Sequence, residues 1–292
     1  MAIIKSLAVG KAKGSAGNLT YTYQGGDTIM KGKVAFPKIP RTFSQMNQRV
    51  AWANLVNFWR SLEGYMHPSF ELAAGRVSDF NIYMSRNINR ERVFLTRGNA
   101  AAGETIVAPY QLTEGSLTSM QMDITENGVI HSGLSVGSLV INDETTLAAF
   151  SAAIISNNNG WEYGDQLSAF QFLQTTDTVS GVNRMTCKAF EVTLANDANT
   201  LLLDLIHNDP SCFAVTTGSK LGFNAAINGG GVYIHSRIEN GETLVSTQTA
   251  IVTSDVLNNF TTASARIAAI QSYGGKLSNE FLTPEIDTNN PD

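Results

Sequence analysis

The first residues to search for chemistry in this chain are four histidines (His67, His131, His207 and His235), two cysteines (Cys187 and Cys212) and the acids near them. A zinc site or a metal-assisted hydrolase needs histidines at fixed helical spacing, as in H-E-x-x-H or H-x-E, and none of the four stands in such a pattern. His131 and His235 fall in alternating segments, where a cross-strand polar partner is the simpler role. His207, Asp209, Ser211 and Cys212 crowd into six residues. A nucleophile and its base normally meet from separate segments, because adjacent side chains point apart. Asn208-Asp209-Pro210-Ser211 has the composition of a turn.

The glycine-rich stretches fit phosphate chemistry no better. Asn228-Gly229-Gly230-Gly231 leads into a strand pattern instead of a helix, and residues 14–17 lack a following Lys-Ser/Thr. Asp177, Asp197 and Asp209 belong to no D-x-D-x-D-G calcium loop and read as turn acids. The expectation is a protein without catalytic residues, metal or cofactor.

The elements around these residues are mostly strands. Residues 18–23 alternate apolar and polar groups, Gln24-Gly25-Gly26-Asp27 supplies a turn, and residues 28–36 return. This predicts a β-hairpin arm that ends at Pro37 and Pro40. Thr42-Phe43-Ser44-Gln45 is a capping box opening a helix to Leu62. Met46, Val50, Ala53, Val56 and Trp59 form its stripe, widened by Trp52, Leu55 and Phe58. A second helix over 78–88 shows Phe80, Tyr83, Met84 and Ile88 on one face, with Arg86, Arg90 and Arg92 on or beyond it.

Strands follow over 105–117 and 120–136, with Glu126-Asn127-Gly128 as a type I′ hairpin signal. A short apolar strand is expected at 139–142, then a helix over 145–155 capped by Asp143. Residues 167–174 and 184–194 should pair, with strands at 201–206 and 212–216 after them. Residues 232–238 turn through Glu239-Asn240-Gly241 into 243–252. The repeated Glu-Asn-Gly hints at two similar sandwich-like units. A last helix over 261–273 points Ala263, Ile267 and Ile270 inward.

Composition sets the surroundings of these elements. The 292 residues are 43% hydrophobic, enough for a core, but only 15% charged, against roughly 25% in a soluble domain. Asn, Thr, Ser, Gln and 25 Gly take that place, and neutral polar groups are cheaper to bury against another chain than ions. The two cysteines have neither C-x-x-C spacing nor a disulfide framework, so two buried free thiols of a reducing cytoplasm are expected. No apolar run is long enough for a membrane span. The first residues lack the h-region and cleavage site of a signal peptide, so synthesis in a cytoplasm without export by that route is expected.

Charge is unevenly spread. Lys5, Lys11, Lys13, Lys31, Lys33, Lys38 and Arg41 against Asp27 give residues 1–41 a balance of +6, leaving −11 for the rest of a chain whose net charge is −5. Beyond Lys276 come Glu280, Glu285, Asp287 and Asp292 and no base. Such a tail has little to bury and would be ordered only against a neighbour. A basic arm and an acidic tail invite contact between copies. Tyr21 and Tyr23 interleaved with lysines also suit base stacking and phosphate contact, a subordinate alternative because no nucleic-acid reading motif is present.

Residues 10–62 also resemble a known family. A Gly-rich start, Gly17-Asn18 leading into the hairpin, Lys31 and Lys33 before Pro37, Pro40-Arg41-Thr42, Gln45, Gln48-Arg49 and an aromatic-rich helix are similar to an uncharacterised domain family of Bacteroidetes and their phages, crAss-like phages included. Residues 231–237 through 246–248 are similar to that family's closing strands. The family carries no catalytic residues to transfer, and in phage genomes its members look like virion components of the neck or tail.

Together these observations predict an α+β fold, mainly antiparallel β of sandwich or barrel type, with an N-terminal β-hairpin arm and a few packing helices. Three regions are expected: an arm plus helical module over 1–98, a β-rich core over 99–260, and a C-terminal helix with acidic tail over 261–292. The expected function is structural, in a bacteriophage neck or ring, tail hub or tail adaptor. Its partners would be copies of itself and other virion proteins, with the virion as its location. The alternatives are a binding module for a glycan or protein, and a DNA-contacting protein of the particle lumen.

Overall fold

The computed structural model describes residues 2–4, 13–24, 27–33, 42–65, 69–71 and 77–274. The fold is α+β, with antiparallel sheets and packing helices, and no sheet closes into a barrel among the described residues.

The N-terminal arm is larger than a hairpin. β1 (Ala2–Ile4), β2 (Gly14–Ala16), β3 (Leu19–Gln24) and β4 (Asp27–Gly32) form one sheet in the order β1-β4-β3-β2. The expected hairpin is its centre, paired from Leu19↔Gly32 to Gln24↔Asp27. Among the described residues this sheet shares no strand with any other.

α1 (Phe43–Leu62) starts where the capping box puts it, with the Thr42 hydroxyl accepting from the Gln45 N–H at 3.4 Å. Its buried arc includes Met46, Val50, Asn54, Leu55, Phe58, Trp59 and Leu62. Trp52 leaves the expected stripe and is exposed, because two residues on from Val50 the helix has turned about 200°. α2 (Asp79–Asn87) is capped by Ser78 and buries Tyr83 and Met84; α3 (Arg97–Ala101) is capped by Thr96.

Residues 105–117 depart from the expected strand, since only β5 (Gln111–Thr113) is laddered. The stretch before it is extended, but buried amides supply its hydrogen bonds. Asn54 Oδ1 accepts from Ile106 N–H at 2.8 Å while its Nδ2 donates to Ile106 O and Tyr110 Oη. Gln174 bonds Val107 N–H and Thr105 O, and Asn87 bonds both backbone groups of Gln111. Each buried backbone group needs a partner, and here side chains stand in for a neighbouring strand.

β6 (Met122–Ile124) and β7 (Ile130–Ser135) form the next hairpin, but its turn is not type I′. Only Gly128 has positive φ, +77°, and its N–H bonds Thr125 O. Residues 139–142 are not a strand. α4 (Leu147–Asn157) is capped by Thr146 instead of Asp143, with the Thr146 hydroxyl accepting from Ala149 N–H. β8 (Gln166–Thr176) and β9 (Asn183–Thr193) pair over eleven residues each. The strand expected at 201–206 is a short helix, α5 (Leu202–Leu205), which buries Leu202 with Ile206 four positions on. A brief apolar run cannot by itself separate strand from helix. A 3-10 turn, Pro210–Cys212, and β10 (Ala214–Thr216) and β11 (Lys220–Gly222) follow.

β12 (Gly229–Glu239) is the central strand of the body, paired with β13 (Glu242–Val245) and β15 (Ile251–Val252), while β14 (Gln248–Thr249) pairs with β5. The β12–β13 turn is the true type I′, with Asn240 at φ +52° and Gly241 at +81°. The main sheet runs β13-β12-β8-β9, with β15 also on β12. Gly229-Gly230-Gly231 lies where chains crowd. A Cβ at Gly229 would collide with Phe172 O, at Gly230 with Ile251 O, and at Gly231 with the Phe223 ring.

Strand alternation gives this sheet two buried faces. Phe170, Phe172, Met185, Val232 and Ile234 meet Leu55, Phe58, Trp59, Tyr83 and Tyr110. Leu167, Ala169, Phe190, Val192 and Tyr233 meet Ile130 and Leu134 of β7, Phe150 and Ile154 of α4, and Leu221. The two Glu-Asn-Gly hairpins sit in different sheets. The first core draws on both sides of position 98, so segments 42–98 and 99–260 share it. α6 (Val256–Phe260) leads to α7 (Ala263–Ser272), which packs Ala269 and Ile270 against Met46 and Val50. Ala263 and Ile267, expected inward, are exposed. No helix among the described residues is long and apolar enough to cross a membrane.

Candidate functional site

Of the expected assembly residues, Lys13, Tyr21, Tyr23, Lys31 and Lys33 are described; Lys5, Lys11, Lys38, Arg41 and the tail acids Glu280, Glu285, Asp287 and Asp292 lie outside the described residues. Register divides those that are described. Leu19, Tyr21, Tyr23 and Met30 share one face, while Thr20, Thr22, Ile29 and Lys31 share the other. Lys33, two positions beyond Lys31, is exposed, with its N–H on Asn18 O at 2.6 Å. Tyrosines and lysines of β3 and β4 therefore do not line one groove, and a surface that stacks bases while meeting phosphates is not formed by them.

His67 lies outside the described residues. His131 faces Asp123 across β6 and β7; burial, with Lys220 nearby, pushes its pKa down. His207 and Asn208 have left-handed backbone, φ +54° and +57°. Asp209 spends its carboxylate on Ser211 N–H at 3.0 Å and Lys188 Nζ at 2.7 Å. Burial would raise its pKa, but those partners hold it below the usual carboxylate range. The Cys212 thiol is buried and pushed up by that burial. This is a capped turn, not a nucleophile with its base. Cys187, expected buried, is half-buried, and its thiol is pushed up to about 12 by desolvation. Asp177 accepts from Val179 and Ser180 N–H, and Asp197 from Asn199 N–H and the Thr200 hydroxyl, as turn acids do.

A different cluster is the most tightly built polar feature of the body. Asp165, 1% exposed, enters β8 from the loop after α4 and faces β12, where His235 and Arg237 project on one side. Arg237 grips it bidentately, Nε to Oδ1 at 2.6 Å and Nη2 to Oδ2 at 2.7 Å. His235 Nε2 lies 2.9 Å from Oδ2, and the Glu162 N–H donates to Oδ2 at 2.9 Å. Arg237 is completed by Gly160 O at 2.9 Å and an ion pair with Glu162. The Trp161 indole stacks on the His235 ring, centroids 3.8 Å apart and planes 14° apart.

The electrostatics follow from these contacts. Burial would raise the Asp165 pKa, but Arg237, the Glu162 N–H and His235 outweigh it and hold the carboxyl below its ordinary value. For His235 burial dominates and lowers the pKa, although Asp165 favours the charged ring. No hydroxyl or thiol among the described residues hydrogen-bonds the His235 ring, and the Asp165 contact orients the stacked imidazole. Sequence offered one signal for this knot, the i, i+2 spacing of His235 and Arg237 on a strand; Asp165, about 70 positions earlier, is unreadable without the β8–β12 register.

Two clefts flank the knot. One, of about 580 Å³, is bounded by residues 116–121, the 157–161 loop and Lys220. The other, of about 330 Å³, opens on the opposite face of the main sheet, over Ser168, Glu191, Thr193 and Ser236, with Tyr65 and Ile238 at its rim.

Residues 10–120 match the sequence profile of a family of unknown function (DUF6266). That span covers the described part of the arm from Lys13, the three N-terminal helices and β5. No curated protein and no solved structure is detectably similar to the chain.

Proposed function

We propose that this chain is a non-enzymatic structural subunit of a bacteriophage particle, a neck or ring, tail-hub or tail-adaptor component made in the host cytoplasm and assembled through its termini. The observation that carries the proposal is the N-terminal sheet. β1 to β4 form a four-stranded unit that pairs with no strand of the body among the described residues, and its β3 carries Leu19, Tyr21 and Tyr23 on one face. A sheet of this size has little core of its own and gains stability from packing against further chain. Tyrosine is also a residue favoured at protein interfaces. The +6 balance of residues 1–41 against a −11 remainder favours contact between copies. The likeness of residues 10–62 to a family seen in phages of Bacteroidetes supplies the particle context.

Mass spectrometry of purified particles from a phage encoding the chain tests the proposal. The chain should be present at fixed stoichiometry with head and tail proteins and resist removal by salt. Its absence from washed particles would refute the assignment. Separation of the tyrosines from Lys31 and Lys33 counts against DNA contact as the role of this sheet.

A further inference from the structure

Among the described residues, the part of the main sheet that α1 and α2 do not cover is not a bland solvent face. Its cleft has three exposed large side chains around it: Tyr65 (50%) and Ile238 (78%) at the rim, and Tyr163 (52%) beside the lining Gly164. The floor sets hydroxyl, amide and carboxylate groups, among them Gln166 and Ser168 of β8, Glu191 and Thr193 of β9 and Ser236 of β12, beside apolar side chains such as Phe170 and Ile234. Only Ser236 and Gln166 bond one another, at 3.3 Å. Ser168 is 7% exposed, yet its hydroxyl has no hydrogen-bond partner among the described residues, while it lines the cleft. That hydroxyl is therefore available to an occupant of the cleft that donates or accepts hydrogen bonds.

From this geometry we infer a carbohydrate-binding cleft that takes a short neutral saccharide, with Tyr65 as rim platform and Ser168, Glu191 and Thr193 as hydroxyl partners. Three observations select that class. Tyrosine offers a flat amphipathic face with a polar tip, suited to the apolar face of a sugar ring. Ser, Thr, Gln and Glu together supply donors and acceptors in the mixture that a polyol needs. The single uncommitted charge is negative, which disfavours phosphates and nucleotides; Arg237, also in the wall, is spent on Asp165 and Glu162. A peptide adding as a strand would have to pair at the outer edge of β9 or β13, not over the floor, because the main-chain groups of β8 and β12 are committed to the ladder. The volume of about 330 Å³ sits at the low end of the roughly 300–1,000 Å³ of ligand pockets, which limits the occupant to a short saccharide. This inference is independent of the assembly role.

The test is full-length protein on an array of neutral and acidic mono- and oligosaccharides, followed by calorimetric titration of the strongest neutral binder. Wild type should bind saturably. Tyr65→Ala and Glu191→Gln should each weaken binding at least about tenfold with an unchanged unfolding temperature, since neither side chain is in the core. Ser168→Ala should weaken it too, whereas Val140→Ala, exposed elsewhere, should not. No binding to any neutral saccharide, binding indifferent to Tyr65 and Glu191, or occupation of the cleft only by a protein partner would each overturn the inference.

Discussion

Asp165 and Arg237 are joined through both carboxylate oxygens, at 2.6 and 2.7 Å, and the aspartate is almost fully buried. A bidentate pair of this kind fixes orientation as well as charge. It ties the loop after α4 to the central strand β12, and His235 and Trp161 are stacked upon it. The pair holds the wall between the two clefts in one shape.

Removing one partner strands the other. Arg237→Met leaves the Asp165 carboxylate buried with only His235 and one N–H for company, and should lower unfolding stability by about 3–5 kcal/mol. Urea denaturation monitored by Trp fluorescence reads this directly. The double variant Asp165→Asn/Arg237→Met should lose less than the sum of the single losses, because no uncompensated charge remains.

The histidine makes the same region sensitive to acid. The folded pKa of His235 lies below its ordinary value, which is about 6.5 in an unfolded chain. Between those two values the unfolded state binds more protons, so stability rises with pH in that window. The contribution is full above about pH 6.5 and is lost as pH falls through the unfolded value toward the folded one. His131 shifts the same way. Unfolding free energies measured from pH 8 down to 5 should fall, and His235→Phe, which keeps a ring against Trp161, should flatten the slope relative to wild type. An identical slope in both proteins contradicts the assignment.

Asn54 does the work of a missing strand. Its amide satisfies Ile106 N–H and Ile106 O at 2.8 and 2.9 Å inside the aromatic cluster of Phe58, Tyr83 and Tyr110. Asn54→Leu keeps the volume but leaves two buried backbone groups without partners, at about 1–3 kcal/mol each. Hydrogen exchange at Ile106 should accelerate in this variant while exchange in β8 and β9 stays slow.

Gly231 is one of three consecutive β12 positions where a neighbour crowds the backbone. Gly231→Ala would push a methyl into the Phe223 ring and toward Phe170 O, an overpacking expected to cost about 1–3 kcal/mol. Gly241→Ala, in open space but at φ +81°, should cost less and act through backbone strain alone. Parallel thermal melts rank the two.

Much of this fold is legible in local grammar. Thr42 announces α1 because a cap acts within three residues, and β8, β9 and β12 are long enough for a strand pattern to show. Three kinds of position were not. Asn54, Asn87 and Gln174 look like surface residues until the chain they bond is folded over them. Residues 201–206 are apolar in a run too short to show a period. The Glu-Asn-Gly motif at Glu126 matches that at Glu239, yet only the latter becomes type I′, because turn type depends on the strands it must join. The candidate sites were less legible still. Asp165, His235 and Arg237 meet only through the β8–β12 register, and the Tyr65 rim of the open cleft comes from a turn far from the strands that floor it.

The central claim, that the N-terminal sheet is an assembly element and not part of the folding core, is tested most directly by the mass of the protein in solution with and without residues 1–36. Multi-angle light scattering should find the full chain in a closed oligomer at micromolar concentration. The truncated chain should be a folded monomer whose cooperative melt is retained, since both body cores lie beyond residue 42. A truncated chain that still assembles, or one that no longer folds, would contradict the account.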